Sequence, residues 1–167
     1  CDITDRAAVK EMAARVQADL GPVDIVVNNA AIVTTVGKFM DIADGQWEKD
    51  LSVNLTGAWN VTRCFWPGMI ERQWGRIICM ASIAGIMGGF GQTSYSTTKM
   101  GIVGFAKTLA LEGARYGITS NVIVPGIIDT EIFRLGRPDM IERMRMRVAM
   151  RREGKPEEVA DAVAFLC

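Results

Sequence analysis

The stretch that decides the fold is Arg76-Ile77-Ile78-Cys79-Met80, a short apolar run that is followed by Ala81 and Ser82. A run of this length without polar alternation is typical of a strand that is buried on both faces. Two comparable runs occupy residues 23–27 and 118–124. Because helical patterns separate the three runs, the sequence predicts an α/β fold built on a parallel sheet.

Apolar residues at spacings of three and four mark the helices between these strands. The helical patterns cover residues 4–20, 46–72, 94–115 and a last stretch that begins at Pro156. Thr4 is predicted to cap the first helix, and Pro67 to kink or end the second. Residues 82–93 have the composition of a loop, and residues 131–152 of one or two short helices. The order α-β-α-β-α-β-α predicts one domain over residues 1–167, with helices on both faces of the sheet.

Composition and charge exclude several classes of protein. The 167 residues include 19 basic and 19 acidic side chains, no His, and 49% hydrophobic residues, as expected for a soluble globular domain. A net charge of zero provides no field that would attract nucleic acid or an anionic membrane. No apolar run approaches the roughly 20 residues that cross a bilayer, and no signal peptide is recognised at the N-terminus. We therefore expect a cytoplasmic protein that binds neither nucleic acid nor membrane.

The absence of His excludes Ser-His-Asp hydrolysis, Cys-His proteolysis and His-ligated zinc sites. Four cysteines are widely spaced and form no C-x-x-C pair, so neither a zinc ribbon nor a redox motif is indicated. The sequence predicts no metal site. Proton transfer must therefore use Tyr, Lys, Cys or a carboxylate.

Polar and small residues follow the predicted strands, at the edge of the sheet where ligands bind in this architecture. They are Asn28-Asn29-Ala30, Ser82 and Pro125-Gly126. Tyr95 and Lys99 stand four residues apart at the start of a helix and therefore on one face. A nearby ammonium favours the phenolate and makes tyrosine a usable proton donor and acceptor. Taken alone, however, Tyr-x-x-x-Lys is more often a solvated helix face, and a Ser after a strand is more often a turn residue.

The combination is more specific. Asn28-Asn29-Ala30, Asn54, Ser82, Tyr95, Lys99 and Pro125-Gly126-Ile127-Ile128-Asp129-Thr130 stand in the order and spacing of the classical short-chain dehydrogenase/reductase family. The whole chain resembles this family, and is similar to bacterial 3-oxoacyl-carrier-protein reductases and related alcohol dehydrogenases. The resemblance implies a Rossmann-like, doubly wound parallel sheet and a cofactor that is NAD or NADP.

The resemblance also implies roles for the site residues. Tyr95 would be the general acid and base, and Lys99 would lower its pKa and hold the nicotinamide ribose. Ser82 would orient the substrate carbonyl, Asn54 would hold a water through its helix, and Gln92 would line the substrate side. The cofactor would lie against Asp2 and Ile3 at the adenine, Asn29 and Ala30 at the ribose, Tyr95 and Lys99, and Ile128 and Thr130 at the carboxamide.

The sequence departs from the family pattern in two ways. Ala31 stands where the family usually has Gly, and the Gly-rich pyrophosphate loop does not occur. The resemblance therefore predicts that the chain is part of a longer protein, whose first strands and last strand lie outside these residues.

The leading hypothesis is an oxidoreductase that interconverts a secondary alcohol and a ketone, including a 3-oxoacyl thioester, with Tyr95 handling the proton. One alternative is a non-catalytic member that binds a nucleotide or a partner. Another is a lyase or epimerase on the same scaffold. Apolar side chains on residues 46–72 and 94–115, together with the resemblance, predict a homodimer or homotetramer, and core packing is the competing explanation.

Overall fold

Three parallel strands form the sheet of the first of two units, Cys1–Val124 and Pro125–Cys167, into which the chain divides. The structure is a computed structural model that describes residues 1–34 and 36–167. The strands are β1 Ile25–Asn28, β2 Gly75–Met80 and β3 Ile118–Ile123, in the order β1-β2-β3. Both neighbouring pairs are parallel, which confirms the predicted α/β fold with a parallel sheet.

Strand β2 is the centre of this sheet. Ile78 pairs with Val27 of β1 and with Asn121 of β3. The side chains of Ile77, Ile78 and Cys79 are completely buried. Burial on both faces explains why this strand has no polar alternation, as the sequence predicted.

Five helices and two short 3-10 turns surround the strands of the first unit. The helices are α1 Arg6–Leu20, α2 Asp44–Leu51, α3 Ala58–Arg72, α4 Ile83–Met87 and α5 Thr93–Gly113, and the turns are Phe39–Asp41 and Ala114–Tyr116. The core combines buried side chains from α1, α3, α5 and the sheet, among them Ala13, Phe65, Ile77 and Ile102.

The first helix begins one residue later than the sequence predicted. Asp5 caps α1, because its Oδ1 accepts hydrogen bonds from the main-chain N–H groups of Ala7 at 2.8 Å and Ala8 at 3.1 Å. The predicted cap, Thr4, instead donates from its N–H and its hydroxyl to the Asp2 carboxylate, both at 2.8 Å. The prediction for Thr4 was therefore wrong, since its hydroxyl donates to Asp2 instead of capping the helix.

The long helical pattern is two helices joined by a π-turn. Helix α2 passes into the π-turn Ser52–Gly57 and then into α3 without a break. Pro67 lies inside α3, which continues to Arg72, so the proline does not end the helix. Phe65 and Met69 on either side of it are buried in the core, and this packing offsets the loss of one main-chain hydrogen bond.

The predicted loop of residues 82–93 contains a helix. Ser82 caps α4, and its Oγ accepts a hydrogen bond from the Ala84 N–H at 3.2 Å. A Cβ on Gly85 would lie 2.8 Å from the main-chain carbon of Lys99. Glycine at this position therefore allows α4 to contact the backbone of α5 directly.

The second unit is helical and contains α6 Glu131–Arg134, α7 Pro138–Arg145 and α8 Pro156–Leu166, as the sequence predicted. A parallel bridge joins Ile128 to Gly154. The Gly154 main chain accepts from the Asp129 N–H at 2.8 Å and donates to the Ile127 oxygen at 2.9 Å. Among the helices that the structure describes, none has both the length and the apolar character needed to cross a membrane.

Candidate active site

Ser82, Tyr95 and Lys99 lie together where β2 ends. Tyr95 is in the first turn of α5 and is half-buried, and Lys99 follows one turn later with 4% of its surface exposed. The Lys99 Nζ lies 5.6 Å from the centroid of the Tyr95 ring and donates to the Met80 main-chain oxygen at 2.8 Å. The structure thus brings together three of the residues that the resemblance assigned to the catalytic set.

The pKa of Tyr95 is raised above its usual value, because the phenol is partly buried and burial disfavours the phenolate. Hydrogen bonding with the Ser82 side chain opposes this rise. Lys99 was expected to lower the pKa of Tyr95, and this role stays a prediction.

Burial also lowers the pKa of Lys99 to about 8. Taking an ammonium out of water disfavours its charged form, and the hydrogen bond to a neutral carbonyl compensates only in part. The nearby Cys79 side chain, which is completely buried, opposes this fall. Lys99 can therefore lose its proton close to neutral pH.

Asn54 lies in the π-turn, is 2% exposed, and uses its whole side-chain amide within the protein. Its Oδ1 accepts from the Ile32 N–H at 2.7 Å, and its Nδ2 donates to the Ile32 oxygen at 2.8 Å and to the Thr98 hydroxyl at 3.3 Å. The side chain therefore joins the chain after β1 to α5. The binding of a water through the helix of Asn54 stays a prediction.

Asn28 and Asn29, at the end of β1, have different environments. Asn28 is half-buried, and its Nδ2 donates to the Thr62 hydroxyl at 2.8 Å and to the Cys79 sulfur at 3.6 Å. Asn29 and Ala30 are exposed at the end of the strand. Asn28 therefore anchors the strand end, whereas the next two residues are free to contact a bound molecule.

Asp2 and Ile3, the residues expected at the adenine, lie near the π-turn. The Asn60 Nδ2 donates to the Ile3 main-chain oxygen at 2.9 Å, and a Cβ on Gly57 would lie 2.5 Å from the Ile3 Cδ1. Hydrogen bonds from the main chain and hydroxyl of Thr4 hold the pKa of Asp2 below its usual value. This exposed carboxylate is therefore an acceptor at neutral pH.

Several polar groups of the first unit have hydrogen-bonding capacity that the protein itself does not use. Within the described residues, Lys99 uses one of its three N–H donors, and one oxygen of Asp2 accepts no hydrogen bond. Exposed Asn29 and Ala30 lie at a strand end, the usual edge for nucleotide binding. N–H donors and a carboxylate acceptor are the kinds of group that bind ribose hydroxyls and a purine amino group.

Three further predicted site residues have structural partners of their own. Gln92 precedes α5, and its N–H donates to the Gly89 oxygen at 3.0 Å. In the second unit, Ile128 pairs with Gly154, and the Thr130 Oγ caps α6 by accepting from the Phe133 N–H at 3.3 Å. Their assignment to the substrate and to the carboxamide stays a prediction.

Sequence reasoning missed Asp50, which is completely buried and bonds to Thr34 and Ser94. A signal was present, because Asp50 and Asn54 are four residues apart and share one helix face with apolar neighbours. Two polar residues repeated on an inward face indicate buried hydrogen bonds.

The chain is similar to a known family and to several known proteins. The sequence profile of a family described as enoyl-(acyl carrier protein) reductase matches residues 1–167. The chain is 45% identical over 166 residues to nodulation protein G of Azospirillum brasilense, covering 99% of this chain and 67% of that protein. It is 44% identical over 165 residues to an acetoacetyl-CoA reductase of a Synechocystis strain, covering 99% of this chain and 68% of that protein.

One further sequence and one solved structure are also similar to this chain. A 3-oxoacyl-(acyl-carrier-protein) reductase of Escherichia coli is 37% identical over 165 residues, which are 99% of this chain and 67% of that protein. The crystal structure of an NAD⁺-bound xylitol dehydrogenase superposes with a TM-score of 0.93 at 31% identity, covering 99% of this chain and 70% of that one. The chain thus spans about two thirds of the length of these proteins.

Proposed function

The chain belongs to the short-chain dehydrogenase/reductase family, and from this premise we propose that it interconverts a secondary alcohol and a ketone with NAD or NADP. The observation that carries the proposal is the grouping of Ser82, Tyr95 and Lys99 at the end of β2. A partner-binding protein would not need a half-buried phenol beside a buried ammonium, since both cost free energy to bury.

Tyr95 transfers the proton. In ketone reduction its Oη donates a proton to the substrate oxygen, and in alcohol oxidation it accepts the hydroxyl proton. The raised pKa keeps the phenol protonated at neutral pH, which is the form that donates to a ketone oxygen. The Ser82 hydroxyl orients the same substrate oxygen and offsets part of the cost of forming the phenolate.

Bound NAD(P) would supply the hydride chemistry of either direction. Lys99 would hold the ribose hydroxyls with the N–H donors that Met80 leaves free. We propose further contacts with the rest of the cofactor. They are Asp2 and Ile3 at the adenine, Asn29 and Ala30 at the ribose, and Ile128 and Thr130 at the carboxamide. Asn54 completes the proposed catalytic set by holding a water through its helix.

The proposed substrate is a 3-oxoacyl thioester or a similar ketone. Two of the similar proteins are named as reductases of acetoacetyl-CoA and of 3-oxoacyl groups on a carrier protein. Ile86, Met87 and Phe90 are exposed between Ser82 and Gln92, and they provide apolar surface for an acyl chain. Gln92 is the proposed polar contact on this side.

A homo-oligomer is part of the proposal. Arg6, Leu55, Thr56, Trp59 and Phe105 line a groove formed by α1, the π-turn, α3 and α5. Two guanidinium groups lie over the Trp59 ring, those of Arg6 at 5.1 Å and Arg63 at 4.8 Å from its centroid. Partly exposed aromatic rings flanked by arginine are typical of interfaces between subunits. A cytoplasmic location stays a prediction from the sequence.

The proposal is tested by measuring NADH and NADPH consumption by the full-length protein against a panel of ketones and acyl thioesters. We expect turnover with at least one 3-oxoacyl thioester or small ketone and a clear preference for one cofactor. Bound cofactor without net oxidation or reduction would favour a lyase or epimerase, and failure to bind either cofactor would favour the partner-binding alternative.

A further inference from the structure

Asp50 is a completely buried carboxylate at the end of α2. Its Oδ1 accepts hydrogen bonds from the Thr34 N–H at 3.2 Å and from the Thr34 hydroxyl at 2.9 Å. Its Oδ2 accepts from the Ser94 hydroxyl at 2.5 Å. No Lys or Arg pairs with it among residues 1–34 and 36–167. A buried charge without a countercharge is costly, so its three hydrogen bonds must supply the compensation.

Asn54 repeats this arrangement one helical turn later. Asp50 connects Thr34 to Ser94, and Asn54 connects Ile32 to Thr98. The two bridging residues are four apart, and so are the two residues that they reach on α5. We call Asp50, Asn54, Ser94 and Thr98 the polar clamp. It fastens the segment after β1 and the first two turns of α5 to α2 and the π-turn.

Each contact of the polar clamp with α5 immediately precedes a residue of the proposed site. Ser94 is followed by Tyr95, and Thr98 is followed by Lys99. Main-chain N–H groups in the first turn of a helix have no partner within the helix, and this end is where helices fray. A carboxylate near the N-terminus also interacts favourably with the helix dipole. Asp50 therefore acts on the part of α5 that most needs support.

We propose that Asp50 is a positioning residue for Tyr95. Through the Ser94 hydroxyl it fixes the first turn of α5 and hence the direction in which the Tyr95 phenol meets the substrate oxygen. Asp50 is completely buried and acts through another residue, so it takes no part in proton transfer. The inference rests on the proposed acid–base role of Tyr95. It also predicts that loss of the contact reduces turnover while cofactor binding persists.

The chain offers a matched pair of variants for the test. Ser94→Ala removes the hydroxyl that Asp50 accepts from, and Ser96→Ala removes a hydroxyl that has no hydrogen-bond partner among the described residues. The two serines flank Tyr95 in the same turn of α5. Both variants are made in the full-length protein, with kcat and the KM of cofactor and of substrate measured for each.

Displacing a catalytic group by 1 Å can cost about 10²-fold in rate, so we expect Ser94→Ala to lower kcat by at least about 10-fold. The KM of the cofactor should change by less than about two-fold, because its binding uses other groups. Hydrogen exchange at the amides of residues 94–97 should accelerate in Ser94→Ala. Ser96→Ala should match the wild type in kcat and in exchange.

Asp50→Asn provides the conservative variant. Asparagine keeps an oxygen for the Thr34 N–H, and its Nδ2 can donate to the Ser94 oxygen, so the connection survives without the charge. We expect Asp50→Asn to retain more of the wild-type kcat than Ser94→Ala. Asp50→Ala would remove the acceptor of three donors and could prevent folding, so the test does not use it.

Equal kcat values for Ser94→Ala and Ser96→Ala would overturn the inference, as would a loss of kcat without faster exchange in the first turn of α5. Tyr95→Phe is measured in parallel. If Tyr95→Phe is inactive and Ser94→Ala is normal, the role of Asp50 is wrong and the proposed function stands. If Tyr95→Phe remains active, the proposed acid–base role fails first, and the inference fails with it.

Discussion

The Lys99 ammonium donates a hydrogen bond to the main-chain oxygen of Met80, at 2.8 Å, and so fastens α5 to the last residue of β2. The side chain is 4% exposed, although lysine is almost never buried to this extent without a charged partner. The same contact places the ammonium beneath the Tyr95 ring. Lys99 therefore has a structural role as well as its proposed role in the site, and variants must separate the two.

Tyr95→Phe should abolish turnover and preserve cofactor binding. The change removes only the transferable proton, and general acid–base catalysis contributes about 10²-fold to 10⁴-fold, so kcat should fall by at least about 10²-fold. Lys99→Ala should weaken both turnover and binding, because the ammonium contacts the site and the proposed ribose position. Steady-state rates and calorimetric titration with NADH and NADPH provide the comparison. Near-normal turnover by Tyr95→Phe would contradict its assigned role.

Ser82→Ala should move the pH profile of alcohol oxidation to more alkaline pH. Oxidation requires Tyr95 to accept a proton, burial raises its pKa, and Ser82 opposes that rise. Loss of the hydrogen bond should therefore raise the apparent pKa further. Ketone reduction uses the protonated phenol, so its rate near neutral pH should not show this shift. Ser120→Ala, on β3, removes a buried hydroxyl without a partner in the described chain and is the control.

Lys99→Met should change how stability depends on pH. Below about pH 8 the folded protein contains a buried ammonium. As the pH rises from about 8 toward the ordinary value of 10.5, folded Lys99 loses its proton before the unfolded chain does, so wild-type stability rises. Relative to Lys99→Met, the wild-type free energy of unfolding should gain about 3 kcal/mol over that window.

Urea denaturation of the cofactor-free protein at several pH values measures this difference. Lys107→Met is the matched control, since Lys107 is an exposed lysine of the same helix and stays hydrated on folding. A wild-type curve parallel to that of Lys99→Met across the window would show that burial of Lys99 carries no such cost.

Phe105→Glu should convert the proposed homo-oligomer to a monomer. Phe105 lines the groove beside Trp59, and a carboxylate placed in a desolvated interface loses its hydration without a partner. Leu111→Glu is the control, because Leu111 is an exposed apolar residue of the same helix outside that groove. Light scattering at micromolar concentration should report a smaller mass for Phe105→Glu alone. A wild-type protein that is already monomeric would argue against the interface.

The strands were the most predictable part of the fold. The apolar run at residues 76–80 differs from the observed β2 only by Gly75. A strand buried on both faces must be apolar whatever packs on it, so its composition alone identifies it. The helix α4 was missed because it depends on contact between Gly85 and the backbone of Lys99, which is a tertiary relationship.

The site residues that could be predicted are those whose position follows from their spacing in the sequence. Tyr95 and Lys99 share a helix face by geometry, and Ser82 follows a recognisable strand. Asp50 could not be assigned in the same way, because its partners lie 16 and 44 residues away in the chain. The raised pKa of Tyr95 was also missed, since it depends on how deeply the phenol is buried.

The π-turn Ser52–Gly57 has a consequence for changes in chain length. Its hydrogen bonds span five residues rather than four, so it holds more residues per turn than the helices on either side. Deleting one residue here would allow α2, the turn and α3 to continue as a regular α-helix, with the flanking core contacts in place. The Asn54 amide would then turn away from Ile32 and Thr98. Shortening this segment by one residue is therefore a change that the core can absorb and the polar clamp cannot.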